Sequence, residues 1–205
     1  MFNPFRFWQE LKYSPHLARL LHNTRKVIME SNQDSLFMHH DKQVCAMLNY
    51  DGVDEEERNR YFNEYTVTNV VLLMLLLDEA ALQTDDELRK NYLQKWREYV
   101  PKFYLDYLKE LKIEERNIYL WDKLIDLRYE EYQREILNWR RELINVDEEL
   151  AQEMVHDKFV LAYQAVTLGL FQHLRRQNGK PKDPLYLRLQ SYMVPIFKRM
   201  MKRIF

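Results

Sequence analysis

The chain is 205 residues long, 46% apolar and 31% charged, with 31 Lys and Arg against 32 Asp and Glu. That length can hold one sizeable core, and that apolar fraction excludes a disordered chain. Three glycines (Gly52, Gly169 and Gly179) and six prolines are too little turn material for a β-sandwich or barrel, which needs a turn every ~8–12 residues.

The near-neutral total hides a division. Residues 78–157 carry 21 acids and 13 bases, a net of −8. Residues 158–205 carry ten bases and one acid, Asp183, a net of +9, and the first 77 residues come to −2. Such asymmetry bears on partners rather than on fold. Cys45 is the sole cysteine, so no intramolecular disulfide can form. Charges interrupt the first ten residues where a leader needs an apolar stretch. Together these point to a reducing, cytoplasmic setting. The longest apolar run, Val70–Leu77, has eight residues, against the ~20 a membrane span needs. It reads as a core helix, and no transmembrane segment is expected.

In chain order, the elements all read as helices. Asn3-Pro4 opens a short aromatic one over 4–12, with Phe5, Phe7, Trp8 and Leu11. Ser14-Pro15 opens a second over 15–31, where Leu17, Leu20, Leu21, Thr24, Val27 and Ile28 recur at 3–4 spacing. In both, a capping side chain serves the orphan N–H groups and proline at the first helical position loses nothing. A third covers 35–49 and stops at Asp51-Gly52, and a fourth runs over 54–82. Thr84-Asp-Asp-Glu87 has the form of a capping box and starts a fifth over 85–99. Pro101 should break that pattern, leaving a separate short helix over 101–112.

A long helix over 114–144 follows, its seam made by Ile118, Trp121, Ile125, Tyr129, Tyr132, Ile136, Trp139 and Leu143. Asp147, before Glu148 and Glu149, caps a helix over 148–177. Asn178-Gly179 should end it as a left-handed stop. The loop 178–183 leads through Asp183-Pro184 into a last helix over 184–205. The fold expected is all-α, a single irregular helical bundle of about seven to nine helices forming one domain over 1–205. Its core should be built on 67–82 and 154–174. Ala162, Ala165 and Gly169 lie together on the second of these, which lets a neighbouring helix approach closely.

No motif specifies a reaction. The best metal candidates are Glu149, Glu153, His156 and Asp157, which fall within about 100° of one another on a helical wheel. Glu153-x-x-His156 has the spacing of carboxylate-bridged metal bundles, in which residues three apart project to one side. Those sites use a second such pair, which this chain lacks; Asp78 and Glu79 are nominated as further carboxylates. A second row, Asp122, Asp126 and Glu130, could chelate magnesium, with Arg134 placed to pair with Glu130. His39-His40-Asp41 sets His beside Asp. Over those two residues it resembles the all-helical HD-type metal phosphohydrolases. That family also uses an earlier His and a later Asp, for which His16, His22 and Asp122 are the nominees. His40 shares a face with Phe37, Val44, Met47 and Leu48, which suits a core histidine. Cys45 has apolar neighbours and should be buried and inert. No cofactor is expected, a divalent metal being the alternative.

The last helix carries the strongest interaction signal. Leu189, Tyr192, Met193, Ile196, Phe197, Met200, Met201, Ile204 and Phe205 form one apolar stripe, and Arg188, Lys198, Arg199, Lys202 and Arg203 decorate the rest. Basic amphipathic helices lie on anionic membranes or enter partner grooves. Nucleic acid matches in charge but no motif supports it. The structural counterpart is docking of this helix on its own bundle, its basic face meeting the acidic middle region. The sequence therefore favours a non-enzymatic interaction or scaffold protein. Arg188, Phe197, Lys198, Arg199, Met200, Met201, Lys202 and Arg203 would contact a protein partner or an anionic surface. The competing reading is a metal-dependent all-helical enzyme, a phosphohydrolase or carboxylate-bridged oxidase, using Glu153 and His156.

Overall fold

A computed structural model of the chain describes residues 20, 22–31, 33, 34, 36, 38–146, 158–180 and 182–205, with side chains throughout except at 143–146 and 158. Among these residues the architecture is an all-α helical bundle without strands. Residues 20–40 are helical wherever described. Then come α1 (Lys42–Met47), a 3-10 turn (Tyr50–Gly52), α2 (Glu55–Leu82), α3 (Glu87–Glu110), α4 (Glu115–Val146), α5 (Lys158–Leu174) and α6 (Pro184–Ile204). The expected short helix over 4–12 lies outside the described residues.

α2 is the centre. Every residue from Glu64 to Leu77 is buried, because a helix that is apolar all round has no face to give to water. It packs on α3, α4, α5 and α6. By length and composition it could cross a membrane, but 89% of its apolar window is buried inside the bundle. α5 is the second core helix, with Ala162, Val166 and Leu170 fully covered. Its small residues do admit a neighbour: a Cβ on Gly169 would run into the Tyr132 ring of α4. Tyr132 is itself 1% exposed and cannot swing away. Gly169→Ala should therefore overpack the contact and cost about 1–3 kcal/mol. A urea titration would show a lower midpoint at unchanged slope; an unchanged midpoint would mean that α4 and α5 do not meet here.

Four helix boundaries differ from the sequence reading, each for an identifiable reason. The helix expected over 35–49 is interrupted at Asp41. Asp41 leaves helical geometry (φ −68°, ψ 115°), and its side chain accepts from the Gln43 and Val44 N–H groups, both at 2.9 Å. An Asx cap outcompeted an apolar spacing that runs straight across it.

Pro101 does not end α3. The buried face Leu93, Trp96, Val100, Tyr104 and Leu108 continues through it. Proline inside a helix costs about 3 kcal/mol, which Tyr104 and Leu108, the two buried side chains beyond it, offset at about 1.5–3 kcal/mol each. The Thr84 box is also displaced. Asp86 caps α3 instead, accepting from Leu88 N–H at 2.9 Å and Arg89 N–H at 3.3 Å.

Finally, α5 ends at Leu174, and its left-handed stop is Arg176 rather than Asn178-Gly179. Arg176 is left-handed (φ 49°). The Gln177 N–H reaches the Gln172 carbonyl at 2.8 Å and the Arg176 N–H the His173 carbonyl at 3.1 Å. These two bonds define a Schellman stop. Gly179 is not left-handed; a side chain there would strike the Phe171 ring.

Candidate functional site

Glu149, Glu153, His156 and Asp157 lie outside the described residues. The carboxylates nominated to join them are engaged elsewhere. The Tyr129 hydroxyl donates to Asp78 at 2.5 Å and Arg97 donates to it at 3.3 Å. Arg140 donates to Glu79 at 2.5 Å. Burial pushes the Asp78 carboxyl above the usual carboxylate range despite those two partners. In the second row, Asp126 and Glu130 are exposed and Asp122 is half-buried. The expected Glu130–Arg134 pair is not among the ion pairs of the described residues.

The His-Asp doublet is dispersed by the Asp41 cap. His40 is exposed rather than a core histidine. His39 is half-buried, hydrogen-bonded to the Tyr50 hydroxyl and edge-on to Phe62. Asp41 accepts from Arg188 at 2.6 Å and from Tyr192 at 2.5 Å, tying α1 to α6. Burial works to raise its carboxyl, but the hydrogen bonds from Tyr192, Arg188 and the Val44 N–H hold it far below the usual range. Among the described residues no three His, Cys, Asp or Glu side chains converge on a common metal position. Cys45 is half-buried, not fully buried as expected. Its thiol donates to the His39 carbonyl at 3.3 Å. Burial pushes that thiol up, and the charges of Asp41 and Asp51 add to the effect.

The stripe of α6 faces its own bundle. Leu185, Leu189, Met193, Ile196, Met200 and Ile204 are all buried, and Phe197 and Met201 are half-buried against the same core. Arg188 pairs with Asp41 at 2.6 Å, Arg203 with Glu30 at 3.6 Å, and Arg199 with Asp34. These acids belong to the N-terminal part of the chain, not to the acidic middle, because α6 packs on α5, α2 and α1. Lys198 and Lys202 are exposed and make no ion pair among the described residues.

A different surface is open. Between α2, the α3–α4 turn and the first turns of α4 runs a groove in two adjoining parts, of about 640 Å³ and about 1160 Å³. Both parts share Asn59, Asn63, Asn117, Leu120 and Leu124. Phe62, Leu108 and Trp121 line the smaller, apolar part. Its rim is Leu36, Leu111, Ile113 and Leu120, exposed by 38–54%. A second Schellman stop builds the rim. Lys112 is left-handed (φ 59°), and the Ile113 N–H reaches the Leu108 carbonyl at 3.1 Å. Leu111 and Ile113 therefore flank a fixed turn.

The larger part opens onto the start of α2. Asp54, Glu55 and Glu56 line it without an ion pair among the described residues. Glu57 beside them is neutralised. Arg60 donates to it at 2.6 and 2.8 Å, and Arg176 at 2.5 and 3.2 Å. Those hydrogen bonds, against the opposing effect of burial, bring the Glu57 carboxyl down to about 2. A carboxyl lowered by folding stabilises above its unfolded value and loses that contribution as pH falls through the folded one. The stability gap between the natural chain and Glu57→Gln should thus be full above about pH 4.5 and close towards about pH 2. Urea titrations across that interval would show it; a constant gap would mean that the arginines do not hold Glu57.

No protein-family model matches the chain, and neither a curated protein nor a solved structure matches it. The groove was absent from the sequence reading. The signals for it were two asparagines at i, i+4 among the charged residues that open α2, and Leu120 and Leu124, which fall outside the α4 seam.

Proposed function

We propose that this protein is a non-enzymatic interaction protein whose partner surface is the groove beside α2. The observation that carries the reading is exposed apolar side chains gathered along one concave strip. Scattered exposed leucines need no explanation, but a contiguous apolar concavity rimmed by polar groups is where partners bind. The C-terminal helix is a weaker candidate for that role, since its apolar stripe is spent on the bundle and three of its five candidate cations face acids of the same chain. Nothing among the described residues favours the metal-enzyme alternative. A reducing, cytoplasmic setting belongs to the same reading and rests on the single cysteine.

The test is a photo-crosslinking residue placed at 111 or at 120, with a control at 137. Leu137 is equally exposed, at 51% against 54% for the other two, and does not line the groove. Expressed in a cell, the two groove positions should yield a common adduct with another protein that position 137 does not. Identical adducts at all three positions, or none, would remove the proposal.

A further inference from the structure

We infer that the groove receives a basic amphipathic helix of a protein partner, apolar at the α3–α4 turn and carrying Lys or Arg at the end that meets the start of α2; this rests on the interaction reading above. The shape comes first. The strip follows α2 from Asp54 to Thr66, about 18 Å at 1.5 Å per residue. That is the length of about three helical turns. A helix laid there would seat side chains at i, i+3, i+4 and i+7 among the apolar lining. A small molecule fits poorly. Such ligands need most of their surface enclosed, in pockets of about 300–1,000 Å³, and this strip is larger and open along its rim.

Chemistry fixes the polarity. At one end the floor is Phe62, Leu108 and Trp121. In the middle, Asn59, Asn63 and Asn117 have side-chain amides that make no hydrogen bond among the described residues, so they can serve the polar flank of a bound helix. At the other end stand Asp54, Glu55 and Glu56. The positive end of the α2 dipole, about half a charge, offsets only part of three carboxylates. Glu57 and Glu64 are already matched by Arg60, Arg176 and Arg128. The residual field is negative. It attracts a cationic segment and repels nucleic acid or an anionic membrane at this face.

The probe is a synthetic peptide of about 15 residues with leucines at the helical spacing above and lysines at one end. It is titrated against the full chain by fluorescence anisotropy. The result expected is saturable binding that weakens as salt rises, about tenfold tighter than for the same peptide with glutamates in place of lysines. Leu111→Gln with Leu120→Gln should weaken it at least about tenfold. Both side chains are 54% exposed, so the core survives the change. Glu55→Gln with Glu56→Gln should weaken it about three- to tenfold and flatten the salt dependence. Equal binding of the lysine and glutamate peptides, or binding untouched by the leucine pair, would overturn the inference. So would a crosslink from position 120 to residues 1–19 of the same chain, because the groove would then be filled from within. A crosslinked partner whose contacting segment is acidic would sink the inference and leave the interaction reading standing, whereas absence of any partner adduct sinks the reading itself.

Discussion

Deleting residues 185–205 should leave a chain that is molten or insoluble rather than a folded bundle lacking one binding element. α6 buries Leu185, Leu189, Met193, Ile196, Met200 and Ile204. At about 1.5–3 kcal/mol for each buried side chain, their loss rivals the ~5–15 kcal/mol that holds a typical domain together. The deletion also uncovers the faces of α5 and α2 on which α6 lies, and it strands Asp41, Asp34 and Glu30 without the arginines that neutralise them. The measurements are a thermal melt, near-ultraviolet dichroism and binding of a hydrophobic dye. Helical far-ultraviolet signal with no cooperative melt and strong dye binding is the expected pattern. A truncated chain that melts cooperatively at the temperature of the full chain would show that α6 contributes little to the bundle. It would return the basic helix to the role of a free interaction element.

The contrast between helix placement and helix ends shows what a sequence of this kind carries. α2 and α5 were legible because Val67–Leu77 and Phe159–Phe171 are apolar at nearly every position, and only a bundle interior takes such a helix. Caps were legible where one candidate stood alone, as at Asp183, whose side chain accepts from the Leu185 N–H at 2.9 Å. They were not legible where candidates competed. Thr84 and Asp86 both had cap chemistry, and the choice went to the residue from which α3 could present Leu93 and Trp96 to the core. At Pro101 a local rule lost to tertiary burial. At Arg176 and Lys112 a left-handed position that usually selects glycine is filled by a long cation. Arg176 uses that position to reach Glu57, and the small backbone strain goes with a charge-assisted pair.

The site was harder to read than the fold. A pattern along one helix reveals only a site built on that helix, whereas the groove is assembled from α2, the α3–α4 turn and α4, none of which shows it alone. Asn59 and Asn63 become meaningful only once Leu111 and Leu120 stand opposite them. Conversely, the charge contrast between the acidic middle and the basic C-terminus was real in the sequence but is resolved by other partners. The α6 arginines meet acids 30, 34 and 41, and Arg128 and Arg140 of α4 meet Glu64 and Glu79 of α2.

That last arrangement sets up the strongest test of the buried electrostatics. Arg128→Met alone should cost about 3–5 kcal/mol, whereas Arg128→Met with Glu64→Leu should recover most of it. Arg128 grips Glu64 with two parallel hydrogen bonds, at 2.6 and 2.9 Å, and the two side chains are only 12% and 6% exposed. It also donates to Glu131 at 3.1 Å, and Glu131 meets the His173 ring at 3.0 Å. Removing the cation leaves a carboxylate that is only 6% exposed without its partner, and an uncompensated buried charge is what makes a broken pair expensive. Replacing both partners removes that charge, so the double variant exchanges an ion pair for apolar packing, a change that is often neutral or stabilising. Urea unfolding of the natural chain, both single variants and the double gives the coupling directly. Single effects that merely add would mean that Glu64 finds water when Arg128 is gone. The α2–α4 seam at the floor of the groove would then be wetter than its 6% exposure implies, and more easily opened by whatever binds there.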